Sequence, residues 1–239
     1  MNYGGILAGG VGARMGSTEK PKQYLELGLD GIPTIIYTLR TFVNCKNIDS
    51  TIIASHKDWI KYTNELIYTY FNSDQAKKIH VIEGGAERFE SLGNICSFID
   101  DTFGLKDNDI LVSHDAVRPF LTEKIIDANI DAMKTYSCCD TVVPSTDTIV
   151  ISEGGTEIDN IPLRKNYYQG QTPQTFRIKD YRDAFARLSE EQKCILTDAC
   201  KVFTLNNIPV KLVIGAYDNM KITTSSDISV ANAVLKDRA

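Results

Sequence analysis

Long apolar runs, histidine, tryptophan and surplus positive charge are all scarce in this sequence, and each scarcity excludes something. No stretch approaches the ~18 consecutive apolar residues that a membrane span requires, so no membrane partner is expected. The segment MNYGGILAGG has neither the basic flank nor the long apolar centre of a secretory signal; the expected location is the cytoplasm. With three histidines and one tryptophan, no Ser-His-Asp pattern emerges. Cys45, Cys96, Cys138, Cys139, Cys194 and Cys200 contain no C-x-x-C pair, which argues against a zinc knuckle or a thioredoxin-like site and for reduced thiols. The 26 Lys and Arg are outnumbered by 31 Asp and Glu, for a net charge of −5. No overall field draws in nucleic acid, so a polyanionic ligand must meet a local cluster of cations.

What is present reads as one α/β domain spanning the 239 residues. Apolar strand patterns at 3–7, 50–54, 78–83 and 109–114 alternate with amphipathic helical patterns near 33–42, 59–71, 88–99 and 123–136. That rhythm predicts a mostly parallel, twisted sheet with helices on both faces, and ligands beyond the carboxyl ends of the strands. Trp59, Tyr62, Leu66 and Tyr70 share one helix face and read as core. After Asp140 the pattern changes. A strand at 141–151, a Gly-Gly turn and a second extended stretch to about 168 read as an inserted β-hairpin at about 143–166. Such a hairpin is marginal alone and should pack on something, a partner subunit being the natural candidate. Helices near 178–188, 198–205 and 227–235 and a strand at 210–214 complete the domain.

The first strand runs into LAGGVGARMG. Gly9, Gly10 and Gly12 permit close backbone approach to a ligand, and backbone N–H groups in such a loop can hold phosphate oxygens. Two familiar motifs fail: Met15 stands where G-x-G-x-x-G needs its last glycine, and no G-K-[S/T] follows. Arg14 lies within the loop and Pro21-Lys22-Gln23 after it. Lys22 as a point charge and Arg14 as a fork would bracket a triphosphate; a surface turn with two solvated cations is the alternative.

Asp115 and Arg118 fall at the end of the strand ILVSHD. Asp115 there can hold Mg²⁺, or the two residues simply pair. His114 reads as structural. Gly84 and Gly85 suggest a second close backbone approach, with Ser91 as cap or nucleotide contact. QGQTPQTF at 169–176 is a polar loop by composition. Thr197 opens a helix and reads as an N-cap, and Lys221, in an extended run, reads on residue type alone as a solvated edge residue.

Taken in order, LAGGVGARMG with PKQYL, then GGAER, HDAVRP, TPQTF and NMKITT resemble the 2-C-methyl-D-erythritol 4-phosphate cytidylyltransferases and their relatives, the ribitol-5-phosphate cytidylyltransferases, over nearly the whole chain. The resemblance implies a Rossmann-like nucleotidyltransferase whose β-hairpin arm makes a homodimer, with CTP and a polyol phosphate as substrates and Mg²⁺ as cofactor. It implies that Leu7, Ala8, Gly9, Gly10 and Gly12 line the triphosphate and that Arg14, Lys22 and Lys221 are catalytic. Gly85, Ser91, Ala116 and Arg118 would contact the nucleotide. Asp115, Thr148, Arg164, Thr172 and Thr197 would hold the sugar phosphate, Arg164 and Thr148 from the neighbouring subunit. Ala86 replaces an aspartate found in some members, which leaves backbone recognition there. YQGQTPQTF, and Ala199-Cys200-Lys201 where methylerythritol enzymes more often carry an acidic then a small residue, look like the ribitol branch. The acceptor expected is therefore D-ribitol 5-phosphate, with 2-C-methyl-D-erythritol 4-phosphate as the alternative. An NAD(P)-binding reductase and a non-catalytic nucleotide-binding regulator are the readings from other classes.

Overall fold

The computed structural model describes residues 1–10 and 20–238. Strands β1 (Asn2–Ala8), β2 (Ser50–Ser55), β3 (Ile79–Glu83) and β4 (Ile110–Asp115) alternate with helices α1 (Thr34–Asn44), α2 (Ile60–Tyr70) and α3 (Arg88–Phe103). There follow α4 (Glu123–Ala132), β5 (Cys138–Pro144), β6 (Tyr168–Arg177), α5 (Ile178–Ala186), α6 (Ala199–Leu205), β7 (Lys211–Ile214) and α7 (Ser225–Arg238). The sheet order is β3-β2-β1-β4-β6-β5-β7. β6 runs antiparallel to both neighbours and every other pairing is parallel.

Two apolar layers sandwich the sheet. α1 buries Ile35, Ile36, Leu39 and Phe42 on one side together with Ile6 of β1; α3 buries Leu92, Ile95, Cys96 and Ile99 on the other, together with Tyr3. The helix stripes follow the 3.6-residue period and the β1 residues the two-residue period, so each element presents one apolar face per layer. Each fully buried Ile or Leu on these stripes contributes about 1.5–3 kcal/mol. α1 lies so close to β1 that a Cβ on Gly4 would meet the Phe42 ring at 2.5 Å; a side chain there would push the helix off the sheet. The aromatic face expected on α2 is real. Trp59, Tyr62 and Tyr70 pack against the core, and Trp59 stacks on Tyr24 at 5.0 Å between ring centroids.

The expected parallel sheet with helices on both faces is present, and two expectations within it are corrected. The stretch read as a polar loop, residues 169–176, is the greater part of β6, with Gln171 through Phe176 buried. Its polarity misled because its amides and hydroxyls are satisfied inside the protein. The strand expected to continue to residue 151 ends at Pro144. The excursion that follows forms no ladder. One antiparallel bridge, Ile151 with Asn160, closes a turn in which Gly155 adopts φ +73°. Val143, placed at the start of the arm, belongs to the main sheet and pairs with Gln169 of β6.

Candidate active site

The carboxyl ends of β1 through β4 converge on one edge of the sheet. Leu7 of β1 lies in register with Asp115, the last residue of β4. The chain beyond β1 is gripped from below by buried Gln23, whose Nε2 donates to Ala8 O at 2.7 Å and Gly10 O at 3.1 Å. Gln23 sits in the 3-10 turn Lys22–Tyr24. Tyr24 anchors that turn through hydroxyl contacts to Thr63 at 2.8 Å and Ser55 at 3.1 Å. Pro21-Lys22-Gln23 is thus a fixed bracket that places Lys22 on the site.

Across the site, Gly85 begins the turn into α3. Its N–H donates to Ser91 Oγ at 3.0 Å, and Ser91 donates onward to Glu87 O at 3.3 Å. A Cβ on Gly85 would fall 2.2 Å from Glu90 Cβ, so only glycine fits. Arg88 is the first residue of α3. A cation is unfavourable at the positive end of a helix dipole, and here the cost is offset by Asp115: Arg88 Nη1 lies 2.5 Å from Asp115 Oδ1. Lys221 Nζ approaches Asp115 Oδ2 at 2.8 Å, and Arg118 Nε stands 3.6 Å from the same oxygen. Burial alone would raise the Asp115 carboxyl, but the Arg88 and Lys221 charges outweigh it and hold the group well below the usual carboxylate range. Asp115 is ionised and surrounded by three cations. The Nε atoms of Arg88 and Arg118 are buried without a hydrogen-bond partner among the described residues.

Buried amides hold this lattice in place. Asn219 Nδ2 donates to Thr172 O at 2.8 Å and Gln171 Oε1 at 3.2 Å, and Asn219 O accepts from Arg118 Nη1 at 2.8 Å. The segment that carries Lys221 is therefore pinned two residues before it, and the reading of Lys221 as a solvated edge residue is corrected. Thr172 Oγ1 accepts from the Asp115 N–H at 3.2 Å and contacts His114 Nδ1 at 2.9 Å, while His114 Nε2 lies 3.2 Å from Arg118 O. A carbonyl only accepts, so the imidazole proton sits on Nε2 and Nδ1 accepts from the threonine. Burial pushes the His114 pKa down to about 3, and the ring is a neutral strut.

Two cavities meet at the Asp115 lattice. The first, about 220 Å³, is lined by Leu7, Ala8, Gly9, Gly10, Lys22, Gln23, Gly85 and Ser91. The second, about 170 Å³, is lined by Arg118, Asp140, Gln171, Thr172, Gln174, Thr197 and Asp198. Arg88, Asp115 and Lys221 line both.

Most of the site residues expected from sequence are thus brought together, with specific corrections. Gly12 and Arg14 lie outside the described residues. Ala116 is buried, its N–H on Leu7 O and its carbonyl on Thr38, and lines neither cavity. Arg118 faces the second cavity, away from the glycine loop. Thr172 lines the second cavity, but its hydroxyl is engaged within the wall. The helix cap read at Thr197 is Asp198, whose carboxylate accepts from the Lys201 N–H at 2.9 Å. Thr148 and Arg164 line neither cavity; Arg164 donates to Thr146 O within the excursion. Asp115 does not fit a metal-ligand role, because both its oxygens are in ion pairs and three cations surround it. Among the described residues no group of three His, Cys, Asp or Glu side chains could hold a metal ion. Arg88, Asp140, Gln171 and Gln174 were missed. Arg88 stands in GGAER, and Gln171 and Gln174 in QGQTPQTF, which composition reads as a loop; Asp140 belongs to no motif.

The family model described as IspD, 2-C-methyl-D-erythritol 4-phosphate cytidylyltransferase, matches residues 5–237. Among solved structures, the 4-diphosphocytidyl-2C-methyl-D-erythritol synthase of Anaerococcus prevotii superposes with a TM-score of 0.79 at 27% identity, covering 98% of both chains. The 2-C-methyl-D-erythritol 4-phosphate cytidylyltransferase of Francisella tularensis gives 0.78 at 28% identity, covering 97% of this chain and 98% of that one. The Thermus thermophilus enzyme of the same name, at 22% identity and 0.73 over 99% and 100% of the two chains, shares the fold.

Proposed function

We propose that this chain, which belongs to the IspD family of CTP-dependent cytidylyltransferases, transfers CMP from CTP to D-ribitol 5-phosphate and releases pyrophosphate. The observation that carries the reading is the sharing of Arg88, Asp115 and Lys221 by two cavities. One cavity has the glycine backbone and lysine suited to a triphosphate. The other has the carboxylates, amides and hydroxyls suited to a polyol.

A phosphate oxygen of the acceptor attacks the α-phosphorus of CTP; the bond from that phosphorus to the bridging oxygen of the β-phosphate breaks, and pyrophosphate leaves. The attacking oxygen is already anionic near neutral pH, so no strong base is needed, and neutral His114 supplies none. The barrier is the approach of two polyanions and the charge that builds on the leaving group, which positioned cations answer. Lys22 meets the triphosphate in the first cavity. Lys221 and Arg88, at the junction, meet the α-phosphate on which attack occurs. Asp115 holds both cations in place when no substrate is present. The divalent cation of the reaction is proposed to arrive on the nucleotide's own phosphates.

The polar lining of the second cavity favours a fully hydroxylated acceptor. Among the described residues its lining includes no Val, Leu, Ile or Met side chain to receive a branch methyl, and Ala199-Cys200-Lys201 supports the same branch. The family description and the names of the solved relatives weigh instead for 2-C-methyl-D-erythritol 4-phosphate, which is the second reading. Pyrophosphate release assayed with CTP and each acceptor decides between them: faster turnover of the methylated substrate would overturn the ribitol assignment.

The excursion at 145–163 is proposed to pack on a second copy of the chain. Ile158, Ile161 and Leu163 are 62%, 56% and 67% exposed, an apolar display that a monomer leaves wet. Arg164 and Thr148, remote from their own chain's cavities, would then serve the partner's acceptor.

A further inference from the structure

Resting on the polyol-phosphate reading above, we propose that Asp140 selects the acceptor by receiving a hydrogen bond from one of its hydroxyl groups in the second cavity.

Asp140 lies on β5 where the pairing with β6 shifts register, between Asp140 and Val142. Such irregularities re-aim side chains, and this one puts a carboxylate into the cavity. Its Oδ1 accepts from Gln174 Nε2 at 3.1 Å. The orientation of that amide is fixed, because Gln174 Oε1 accepts from the Ala199 N–H at 3.1 Å and a backbone N–H can only donate. Asp140 Oδ2 makes no hydrogen bond among the described residues. Facing it is Gly170, on which a Cβ would sit 3.8 Å away; glycine leaves that approach unfilled. In the neighbouring carboxylate, Asp198, each oxygen already accepts a hydrogen bond, one from the Lys201 N–H and one from the Thr197 hydroxyl.

The lining matches the chemistry of a polyol phosphate, with the cations Arg88, Arg118 and Lys221 and an open carboxylate oxygen in one cavity. Asp140 is half-buried and carries no ion pair among the described residues. Burial pushes its carboxyl up to about 6, and the Asp198 charge adds to this against the Gln174 hydrogen bond and the more distant Arg118 and Arg88. Lys221 is the remaining charged group on the cavity wall besides Asp115, with which it is paired.

The test is steady-state kinetics across about pH 5–8 with CTP against D-ribitol 5-phosphate and, separately, 2-C-methyl-D-erythritol 4-phosphate. Asp140→Asn keeps the shape and the Gln174 contact. It is expected to raise KM for the acceptor about ten- to a hundredfold, the scale for a hydroxyl bonded to a charged acceptor, with KM for CTP unchanged. In the wild type, acceptor KM rises as pH falls through 6. The substrate phosphate titrates in the same range in both enzymes, so the part of that rise missing from Asp140→Asn belongs to Asp140. Unchanged acceptor KM in both Asp140→Asn and Asp140→Ala overturns the inference, as do equal rises in KM for acceptor and CTP. Wild-type turnover of neither acceptor overturns the functional reading, and this inference with it.

Discussion

Lys221 Nζ reaches Asp115 Oδ2 at 2.8 Å, and the contact joins the segment after the last strand to the end of β4, on the wall that the two cavities share. The pair is a resting arrangement. The lysine is held where a phosphate is expected, and the carboxylate compensates its charge until that phosphate arrives. Lys221→Ala is expected to lower kcat roughly 10²–10³-fold, the scale of losing one preorganised donor to a developing charge. Circular dichroism and melting of the variant should match the wild type, because Asp115 retains Arg88 and Arg118.

Removing the carboxylate has the opposite balance. Asp115→Ala leaves Arg88, Arg118 and Lys221 facing one another in a poorly solvated site. A loss of about 3–5 kcal/mol in urea unfolding is expected, as for breaking a buried ion pair from one side, and raised ionic strength should recover only part of it.

Arg88 tests whether the lattice is more than a brace. Its Nε is a buried donor with no partner among the described residues. If that donor meets a phosphate, Arg88→Lys will keep the charge yet lose the fork, and kcat/KM should fall about tenfold or more. Equal activity of the lysine variant would reduce Arg88 to a counter-ion.

Asp140 also makes a prediction about stability. Its pKa is raised from 3.8 to about 6 in the folded chain. A raised folded pKa in an acid means the unfolded state binds protons less tightly, so this group opposes folding above pH 6 and ceases to do so below about 4. Asp140→Asn should therefore gain about 1–2 kcal/mol at pH 7.5, with the gain shrinking as pH falls toward 5. A gain independent of pH would place its cause elsewhere.

For the excursion, Leu163→Glu puts a charge on the most exposed of its apolar residues at 158–163. Sedimentation should show a dimer for the wild type and a monomer for the variant, and acceptor turnover should fall with the dimer population.

How far these features could be read without coordinates differs by residue. Parallel β1 to β4 were legible because their apolar runs and the amphipathic helices between them obey two clean periods. Asp115 was legible because it ends such a strand, and Lys22 because it stands in the Pro-Lys-Gln run after the glycine loop. β6 was not, since Gln171, Thr172 and Gln174 are polar side chains buried on partners that come from distant elements, and composition reports polarity without reporting satisfaction. Thr172 was recognised as part of the site but assigned to a substrate; its hydroxyl is occupied by the Asp115 N–H and His114. Asp140 carried no signal at all. Its importance comes from a register shift and from a neighbour, Gln174, whose orientation depends on the N-terminus of α6. Arg88 stands in the motif GGAER, but its position at a helix start gave it no role, and only the unfavourable sign of its charge there hinted at one.

The most direct measurement is a crystal structure with a non-hydrolysable CTP analogue and a polyol phosphate bound together. The account predicts the α-phosphate at the junction of the two cavities, within hydrogen-bond reach of both Lys221 and Arg88, with the acceptor phosphate in line behind it. An α-phosphate lodged away from both side chains, with the Lys221–Asp115 contact undisturbed, would contradict it.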